Sequence, residues 1–447
     1  MKWYSLILLI FCALLLWQCS SEEITSGESY AIHADTVLST PNTQEQYVSK
    51  VVLENESDSV TVQPYIRWKA APDLRSNEKI VNSIVDKSWS DKRKADSLYY
   101  FIHQMIRFKE PELSNEKAMH NPVKLIHSYG NGYCSQFAAG FANLCNKAGV
   151  QARVWDLQGH VVSEVYYNSA WHMYDPDYQL RFKDKSGVFV SVPELETNPS
   201  IIDDRIIGNF DAEWYKSLFT STDDNNPNHY YQKFADRDHR IECKLYPNDK
   251  VVYDVVKNDS WWARLREWIR DFYIHEHYHD HYPDFFGEGT YIRKLQGDKL
   301  DTGQLIIDIR WPYRIQSVVA KIFLKPGISA GQVELRGRRP DGSWKKSENW
   351  QVRGNQLIVP CRFVDYNWRE LTDFSLKIGK RNGRVMSESV DSIHIVSQFQ
   401  FNPRVFLPVG NAKQMAIDLS SGNSGKTKIE ASWEKTPNWA VEEKTYD

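Results

Sequence analysis

The sequence predicts an α+β fold in which a mixed core of helices and strands is followed by a C-terminal antiparallel β-sandwich. Two stretches, Ser90–Phe108 and Cys134–Ala148, carry apolar residues at the three-to-four-residue spacing of amphipathic helices. Short segments of alternating polar and apolar residues surround them, and this alternation becomes strongest from Leu300 to Phe406. Several short strands in succession are typical of a β-sandwich.

The first residues predict export and a lipid anchor. An apolar run from Leu6 to Trp17 follows an early lysine and is too short for a membrane-spanning helix. Cys19 comes directly after it, so this start resembles a bacterial lipoprotein signal (1–18) with lipid attached to Cys19. The polar residues 19–44 then form a tether, and Ser20–Glu23 resemble the acidic export tag of Bacteroidota surface lipoproteins. We expect an outer-membrane protein at the cell surface; an ordinary cleaved signal peptide is the alternative.

Composition limits the classes of partner. Of the 447 residues, 55 are Lys or Arg and 58 are Asp or Glu, a net charge of −3 that gives no reason to expect nucleic acid as a partner. Aromatic residues make up 13%, including 16 Trp and 24 Tyr. Such residues stack on sugar rings or build ordinary cores, and composition does not separate the two uses. The six cysteines include no CxxC or zinc spacing.

The segment 45–250 is predicted to hold the chemistry, with strands from Tyr47 to Trp68 leading into it. Ser90 or Asp91 caps the helix that follows. The part from Tyr178 to Lys250 is predicted to be irregular, except for a strand near its end.

The central stretch contains a cysteine, a histidine and an aspartate in the order of a thiol triad. Gly130 and Gly132 allow a sharp turn before Cys134, which opens a helix that Gly149 closes. The helix dipole and free N–H groups at that position favour a thiolate and offer an oxyanion site.

His160 begins one of the following strands and Asp175 ends the next, so antiparallel pairing can place the two side by side. His160 would take the thiol proton, and Asp175 would fix its tautomer. Gln136 and Tyr133 are weak candidates for an additional oxyanion side chain.

These motifs resemble the core of the transglutaminase-like superfamily of papain-related thiol enzymes. That family has Gly-x-Cys opening a helix, a Gly-Val-x-Ala-Arg segment, a histidine beginning a strand and Trp-x-x-x-Asp-Pro ending the next. The matching positions here are Gly132–Cys134, Gly149–Arg153, His160 and Trp171–Pro176. The resemblance covers about 90–180 and implies a papain-like catalytic core. The family often has His-Ala-Trp at the histidine, whereas this chain has His-Val-Val. This departure affects the expected shape of the substrate cleft and leaves the triad unchanged.

The segment 251–299 is predicted to connect the two parts. Ser260–Tyr273 has a helical pattern. Four alternating histidines follow, from His275 to His281, which could face one side of a strand and bind a metal. A polar loop beside the cleft is the favoured interpretation, with His277 and Tyr278 near the substrate. We expect no metal and no cofactor.

The segment 300–410 is the predicted sandwich, with a hairpin turn at Asp341-Gly342. It is either a carbohydrate-binding module or a purely structural domain. The polar tail 411–447 has no assigned structure.

Two enzyme classes and one binding class remain open. In the first, Cys134 attacks an amide or ester carbonyl of a peptide or glycopeptide. In the second, the protein acts on acidic oligosaccharides by β-elimination, as a lyase or dehydratase: His160 or His277 moves the proton, and Arg153 or Arg293 neutralises the uronate carboxylate. Trp171 is included with the substrate-binding residues. The third is a glycan-binding surface protein.

Overall fold

A computed structural model describes most of the chain between residues 28 and 435. The described ranges are 28–32, 36–39, 46–68, 71–108, 120–202, 212–220, 225–227, 240–241, 243–256, 285–295, 304–310, 314–330, 333–338, 343–346, 350–361, 373–380, 389–401, 414–419 and 426–435.

Helices are confined to the N-terminal half of the described residues. The α-helices are α1 (Asn77–Ile84), α2 (Asp91–Met105), α3 (Cys134–Lys147), α4 (Val192–Thr197) and α5 (Ala212–Thr220). A π-helical turn covers Lys124–Tyr129 and a 3₁₀ turn covers Pro199–Ile201.

Strands occur throughout the described chain. Those before residue 250 are β1 (Glu28–Ile32), β2 (Thr36–Ser39), β3 (Gln46–Asn55), β4 (Pro64–Trp68), β5 (Arg107–Phe108), β6 (Asn131–Gly132), β7 (Ala152–Leu157), β8 (His160–Tyr167), β9 (Ala170–Tyr174) and β10 (Asn226–Pro227). The later strands are β11 (Lys250–Val256), β12 (Phe285–Lys294), β13 (Gln304–Arg310), β14 (Arg314–Leu324), β15 (Val333–Arg338), β16 (Trp344–Lys346), β17 (Gln351–Arg353), β18 (Gln356–Cys361), β19 (Asp373–Lys380), β20 (Val390–Phe401), β21 (Gln414–Leu419) and β22 (Thr427–Lys435).

Helix α3 is the centre of the N-terminal core. Every residue from Gln136 to Cys145 is buried, so the helix is covered on all sides rather than along one stripe. It packs against α1 and α2 on one side and against β7 and β8 on the other. Gly149, with φ of +79°, ends it in the left-handed conformation that glycine adopts without strain. The predicted helix and its end are therefore confirmed.

A four-stranded antiparallel sheet in the order β10-β7-β8-β9 covers α3. Its two faces bury different clusters. Val154 and Val165 face the helix and join its core, whereas Trp155, Val162 and Met173 face α4 and α5. This alternation follows from the two-residue period of a strand, and the three predicted strands are confirmed.

Two further sheets pack together through one hydrophobic cluster and form the predicted sandwich. The larger has nine strands in the order β1-β22-β3-β11-β12-β20-β14-β18-β17, and the smaller has four, β13-β19-β15-β16. Their shared core includes Leu53, Ile322 and Ile395 from the larger sheet and Ile307 and Leu335 from the smaller. Strands β15 and β16, which flank Asp341-Gly342, pair antiparallel as the predicted hairpin requires, and the two turn residues lie outside the described residues.

The nine-stranded sheet joins segments that the sequence prediction separates. Strand β3 was assigned to the catalytic segment, β1 to the tether and β22 to the polar tail, yet β22 pairs with both β1 and β3. Alternating polarity predicts that a segment is a strand, but it does not identify the partner strand. The segments predicted to be a tether and a polar tail therefore each contribute a strand to the largest sheet.

The part from Tyr178 to Lys250 also differs from its prediction. It was expected to be irregular, but it contains α4 and α5. Both helices are short, at 6 and 9 residues, so each gives few turns of periodic pattern. The predicted helix Ser260–Tyr273 and the histidines from His275 to His281 lie outside the described residues, as does Cys19. Within the described ranges, no helix has the length and apolarity needed to span a membrane.

The buried position of α3 generates a stability prediction. The Phe141 ring is fully buried, and its centroid lies 6.0 Å from that of Tyr99 and 5.3 Å from that of Tyr174. We expect Phe141→Ala to lower the free energy of unfolding by about 3–5 kcal/mol, since it leaves a cavity between three elements. Urea unfolding followed by tryptophan fluorescence measures this. The exposed Val352→Ala is the control, and equal midpoints for the two variants would contradict the packing described.

Candidate functional site

Cys134 is the first residue of α3, and the preceding turn fixes its position. Gly130 has φ of +69°, which permits the chain to turn into the helix. A Cβ atom added at Gly132 would lie 2.9 Å from Cβ of Gln136, so the close approach requires glycine. Oε1 of Gln136 accepts a hydrogen bond of 2.7 Å from the backbone N–H of Tyr133. The Gln136 side chain thus caps the helix, which is a structural use of one of the two weak oxyanion candidates.

Two hydrogen-bonded contacts fix the strands against this helix. The Ser163 hydroxyl on β8 donates to the carbonyl of Ala138 at 2.9 Å. At the other end of α3, the Asn146 side chain bonds both the N–H and the carbonyl of Ala152, where β7 begins. Because these groups are buried or half-buried, they hold His160 at a set distance from the start of the helix.

The sheet register explains why His160 meets Asp175. Ser163 pairs with Tyr174 across β8 and β9, so Asp175 comes opposite Val162, and His160 is two residues further along the same face. Nε2 of His160 lies 2.7 Å from Oδ2 of Asp175. The other ring nitrogen, Nδ1, does not contact the carboxylate, and the half-buried Cys134 thiol is close enough to the His160 side chain to contribute to its raised pKa. The structure brings the three predicted residues together.

Asp175 is fully buried and accepts four hydrogen bonds. Its Oδ2 accepts from His160 and from the Tyr215 hydroxyl at 2.6 Å. Its Oδ1 accepts from the backbone N–H groups of Asp177 and Tyr178, at 3.1 and 3.2 Å. Four donors to one carboxyl group fix its position and orientation beside His160.

Charge and burial act in opposite directions on His160. Burial alone would lower its pKa, because it disfavours the imidazolium. The negative charge and hydrogen bond of Asp175, together with the Cys134 thiol, outweigh burial and hold the pKa of His160 well above its ordinary value. An imidazolium beside a cysteine is the arrangement that activates nucleophilic thiols in proteins.

Two tyrosines that the sequence analysis did not identify enclose His160. The ring centroids of Tyr178 and Tyr215 lie 5.2 and 6.2 Å from that of His160. Tyr215 belongs to α5, which the sequence analysis missed, so its hydroxyl could not be assigned to Asp175. Tyr178 directly follows Asp175-Pro176-Asp177, and this closeness to the triad in sequence was the available signal.

The predicted substrate-binding residues lie in other surroundings. Arg153 bonds the buried Glu164 carboxylate through both Nε and Nη2, at 2.8 and 2.6 Å, and stacks 4.0 Å from the Trp171 ring centroid. These two predicted residues therefore meet each other. Arg293 is in β12, within 4.0 Å of Asp249 and 4.1 Å of the Tyr246 ring centroid, in a second buried cluster. His277 and Tyr278 lie outside the described residues.

No metal site is formed by the His, Cys, Asp and Glu side chains that the structure describes. Cys145 and Cys243 are buried and, like Cys134, carry free thiols. Burial raises the pKa of both, to about 12 for Cys243, which makes them unreactive at neutral pH compared with a thiol paired with an imidazolium.

Comparison with known families identifies the N-terminal core. Residues 78–176 match the sequence model of the transglutaminase-like superfamily. This part of the chain is a transglutaminase-like domain. The matched range includes Cys134, His160 and Asp175 and ends at Pro176, so the predicted superfamily is confirmed for this part.

Other comparisons add no functional information. No curated protein matches the chain. Among solved structures, the VP2 subviral particle of infectious bursal disease virus is 9% identical, with 96% of this chain and 84% of that chain covered and a TM-score of 0.15. The Gx strain of the same virus gives 9% identity, 95% and 84% coverage and the same TM-score. Similarity at this level supports no conclusion about fold or function.

The raised pKa of His160 generates a pH prediction. The His160 imidazolium should persist as the pH rises through the ordinary pKa of histidine. It should lose its proton only when the pH reaches the higher pKa of the folded state. Asp175→Asn removes the charge that supports it, so we expect Cys134 to react with iodoacetamide about tenfold more slowly near neutral pH, with rates converging at alkaline pH. Peptide mass spectrometry of the Cys134 adduct measures the rate. Asp254→Asn, a surface change, is the control; identical pH profiles for both variants would contradict the assignment.

The Tyr215 hydroxyl generates a second prediction. Tyr215→Phe should lower the free energy of unfolding by about 1.5–3 kcal/mol, because a buried hydrogen bond to a charged group is lost. It should also slow Cys134 alkylation about fivefold, as His160 loses part of its support. The matched control is Tyr174→Phe, since Tyr174 is equally buried but donates to Asp96. Equal alkylation rates in the two variants would show that Tyr215 has only a structural role.

Proposed function

We propose that the protein is a thiol hydrolase or acyltransferase of the transglutaminase-like type. The observation that carries this proposal is the arrangement of Cys134 at a helix N-terminus, beside a buried histidine that Asp175 holds at 2.7 Å. A half-buried thiol beside an imidazolium is suited to nucleophilic attack, whereas a buried structural cysteine is not.

The proposed reaction begins with attack of the Cys134 Sγ on an amide or ester carbonyl. The oxyanion that forms is stabilised by free N–H groups in the first turn of α3. His160 gives its proton to the departing amine or alcohol as the carbon–nitrogen or carbon–oxygen bond breaks, which leaves a thioester on Cys134. Water or an amine then attacks the thioester, His160 takes a proton from it, and the thiolate is restored.

Asp175 keeps one charge state throughout this proposed cycle. Its Oδ2 holds the His160 ring through Nε2, which leaves Nδ1 for proton exchange with the thiol in this proposal. Tyr178 and Tyr215 lie against the ring and limit its contact with water, which strengthens the charge interactions around it.

For the substrate we propose a peptide or glycopeptide, cleaved by water rather than cross-linked. The support is the predicted lipid anchor at Cys19 and a location at the cell surface on the outer membrane. At such a surface the proposed acyl acceptor in greatest excess is water.

The contacts of Arg153 and Arg293 give less support to the alternative of β-elimination. Arg153, proposed to neutralise a uronate carboxylate, already bonds Glu164 through two nitrogens. Arg293 lies 97% buried beside Asp249 in another cluster. Both arginine side chains therefore already lie beside a carboxylate of the protein, which argues against a role in binding a substrate carboxylate.

The test is turnover by the purified protein of three pools: peptide amides and esters, glycopeptides, and acidic oligosaccharides, each analysed by mass spectrometry. We expect hydrolysis in one of the first two pools, and a loss of more than about a thousandfold in Cys134→Ala and in His160→Asn. Lys147→Ala, a change at the far end of the same helix, is the control. Loss of water from an oligosaccharide, or an unsaturated end that persists in Cys134→Ala, would replace this proposal with elimination.

A further inference from the structure

Asp177 is a second buried carboxyl group beside the triad, and the proposed acyl-transfer cycle does not use it. It follows Asp175-Pro176 directly, and its backbone N–H donates to Oδ1 of Asp175 at 3.1 Å. Asp177 is 8% exposed. Its Oδ2 is buried without a hydrogen-bond partner among the residues that the structure describes.

The two carboxyl groups have opposite surroundings. Asp175 accepts four hydrogen bonds and is suited to carry a negative charge. An ionised Asp177 would place a second negative charge, with one oxygen unpaired, next to the first. Burying such a charge is costly, and protonation removes most of the cost.

The charges around Asp177 favour the protonated form of its side chain, as its hydrogen bonding does. Burial and the nearby Asp175 raise the pKa of Asp177 well above its ordinary value, and His160 opposes them in part. Tyr215 and Tyr178 contact the same His160–Asp175 pair. From α2, Nδ1 of His103 lies 3.0 Å from the Pro176 carbonyl oxygen, so a third element fixes the turn that carries Asp177.

We propose that Asp177 is a positioning residue of the triad: it holds a proton at neutral pH and sets the pH at which His160 loses its own. While Asp177 is neutral, Asp175 is the single carboxylate next to His160. When Asp177 ionises at higher pH, its charge joins that of Asp175 and keeps the imidazolium populated. The two groups therefore titrate as a coupled pair.

This inference deepens the proposed function, because it assigns His160 the role of proton carrier, but its test needs no substrate. Protein labelled with ¹³C in histidine allows the His160 ring carbon to be followed by NMR from acid to alkaline pH, with the signal assigned by its loss in His160→Gln. Asp177→Asn is neutral at every pH and has almost the same shape as the protonated acid.

We expect Asp177→Asn to lower the midpoint of the His160 titration by about one pH unit. The exposed Asp58→Asn is the control and should leave the midpoint unchanged. The carboxyl carbon of Asp177 in ¹³C-aspartate-labelled wild-type protein should show the shift of a protonated acid at neutral pH. An unchanged His160 midpoint in Asp177→Asn, or a carboxylate shift at neutral pH, would overturn the proposal.

A second experiment covers the case in which Asp177→Asn does not fold. In Cys134→Ala protein the thiol no longer titrates, so the His160 signal depends on the two aspartates. If His160 is coupled to Asp177, the pH titration curve of the His160 signal should have two steps. A single step would overturn the proposal. Because no turnover is measured, failure to find a substrate would count against the proposed function and leave this result unaffected.

Discussion

The hydrogen bond between His160 and Asp175 is the interaction on which the candidate site depends. It forms in a fully buried position, where a charge without a partner is costly, so each group requires the other. The 2.7 Å contact fixes which ring nitrogen faces the carboxylate and which faces the thiol. Together with the negative charge of Asp175 and the Cys134 thiol, it outweighs the effect of burial on the pKa of His160 and keeps the imidazolium form favoured.

The rest of the N-terminal core positions this bond relative to Cys134. Helix α3 is buried on all sides and ends in a glycine turn, so it cannot shift without disturbing α1, α2 and the sheet. The Ser163 contact to Ala138 ties the histidine strand to the cysteine helix. The Tyr215 contact to Asp175 then ties α5 to the same carboxylate. The site is therefore a meeting point of four elements rather than a property of one loop.

The parts that could be predicted from sequence are those with a local signal. Helix α3 has an apolar period and a closing glycine, and the triad strands alternate, so Cys134, His160 and Asp175 could be placed in order before the structure was known. Tyr215 could not, since it acts through a nine-residue helix and a contact 40 residues away in sequence. The pairing of β22 with β3 could not either, because a strand pattern carries no information about its partner.

Arg153 shows a different limit of sequence reasoning. An arginine near a triad suggests recognition of an anion, but the register of β7 and β8 places it directly opposite Glu164. Its charge is used inside the protein, and the sequence alone does not reveal that pairing. Asp177 shows the converse. Its position beside Asp175 is evident in the sequence, but its buried oxygen, which has no hydrogen-bond partner among the described residues, is visible only in three dimensions.

The central claim is that Asp175 holds His160 as an imidazolium beside the Cys134 side chain at neutral pH. The most direct measurement is the ¹⁵N NMR spectrum of the His160 ring in histidine-labelled protein, compared with that of Cys134→Ala. The account predicts that both ring nitrogens of His160 carry protons at neutral pH in the wild-type protein. A spectrum with a proton on Nε2 alone, unchanged by removal of the thiol, would show a neutral histidine beside a neutral cysteine and would contradict the account.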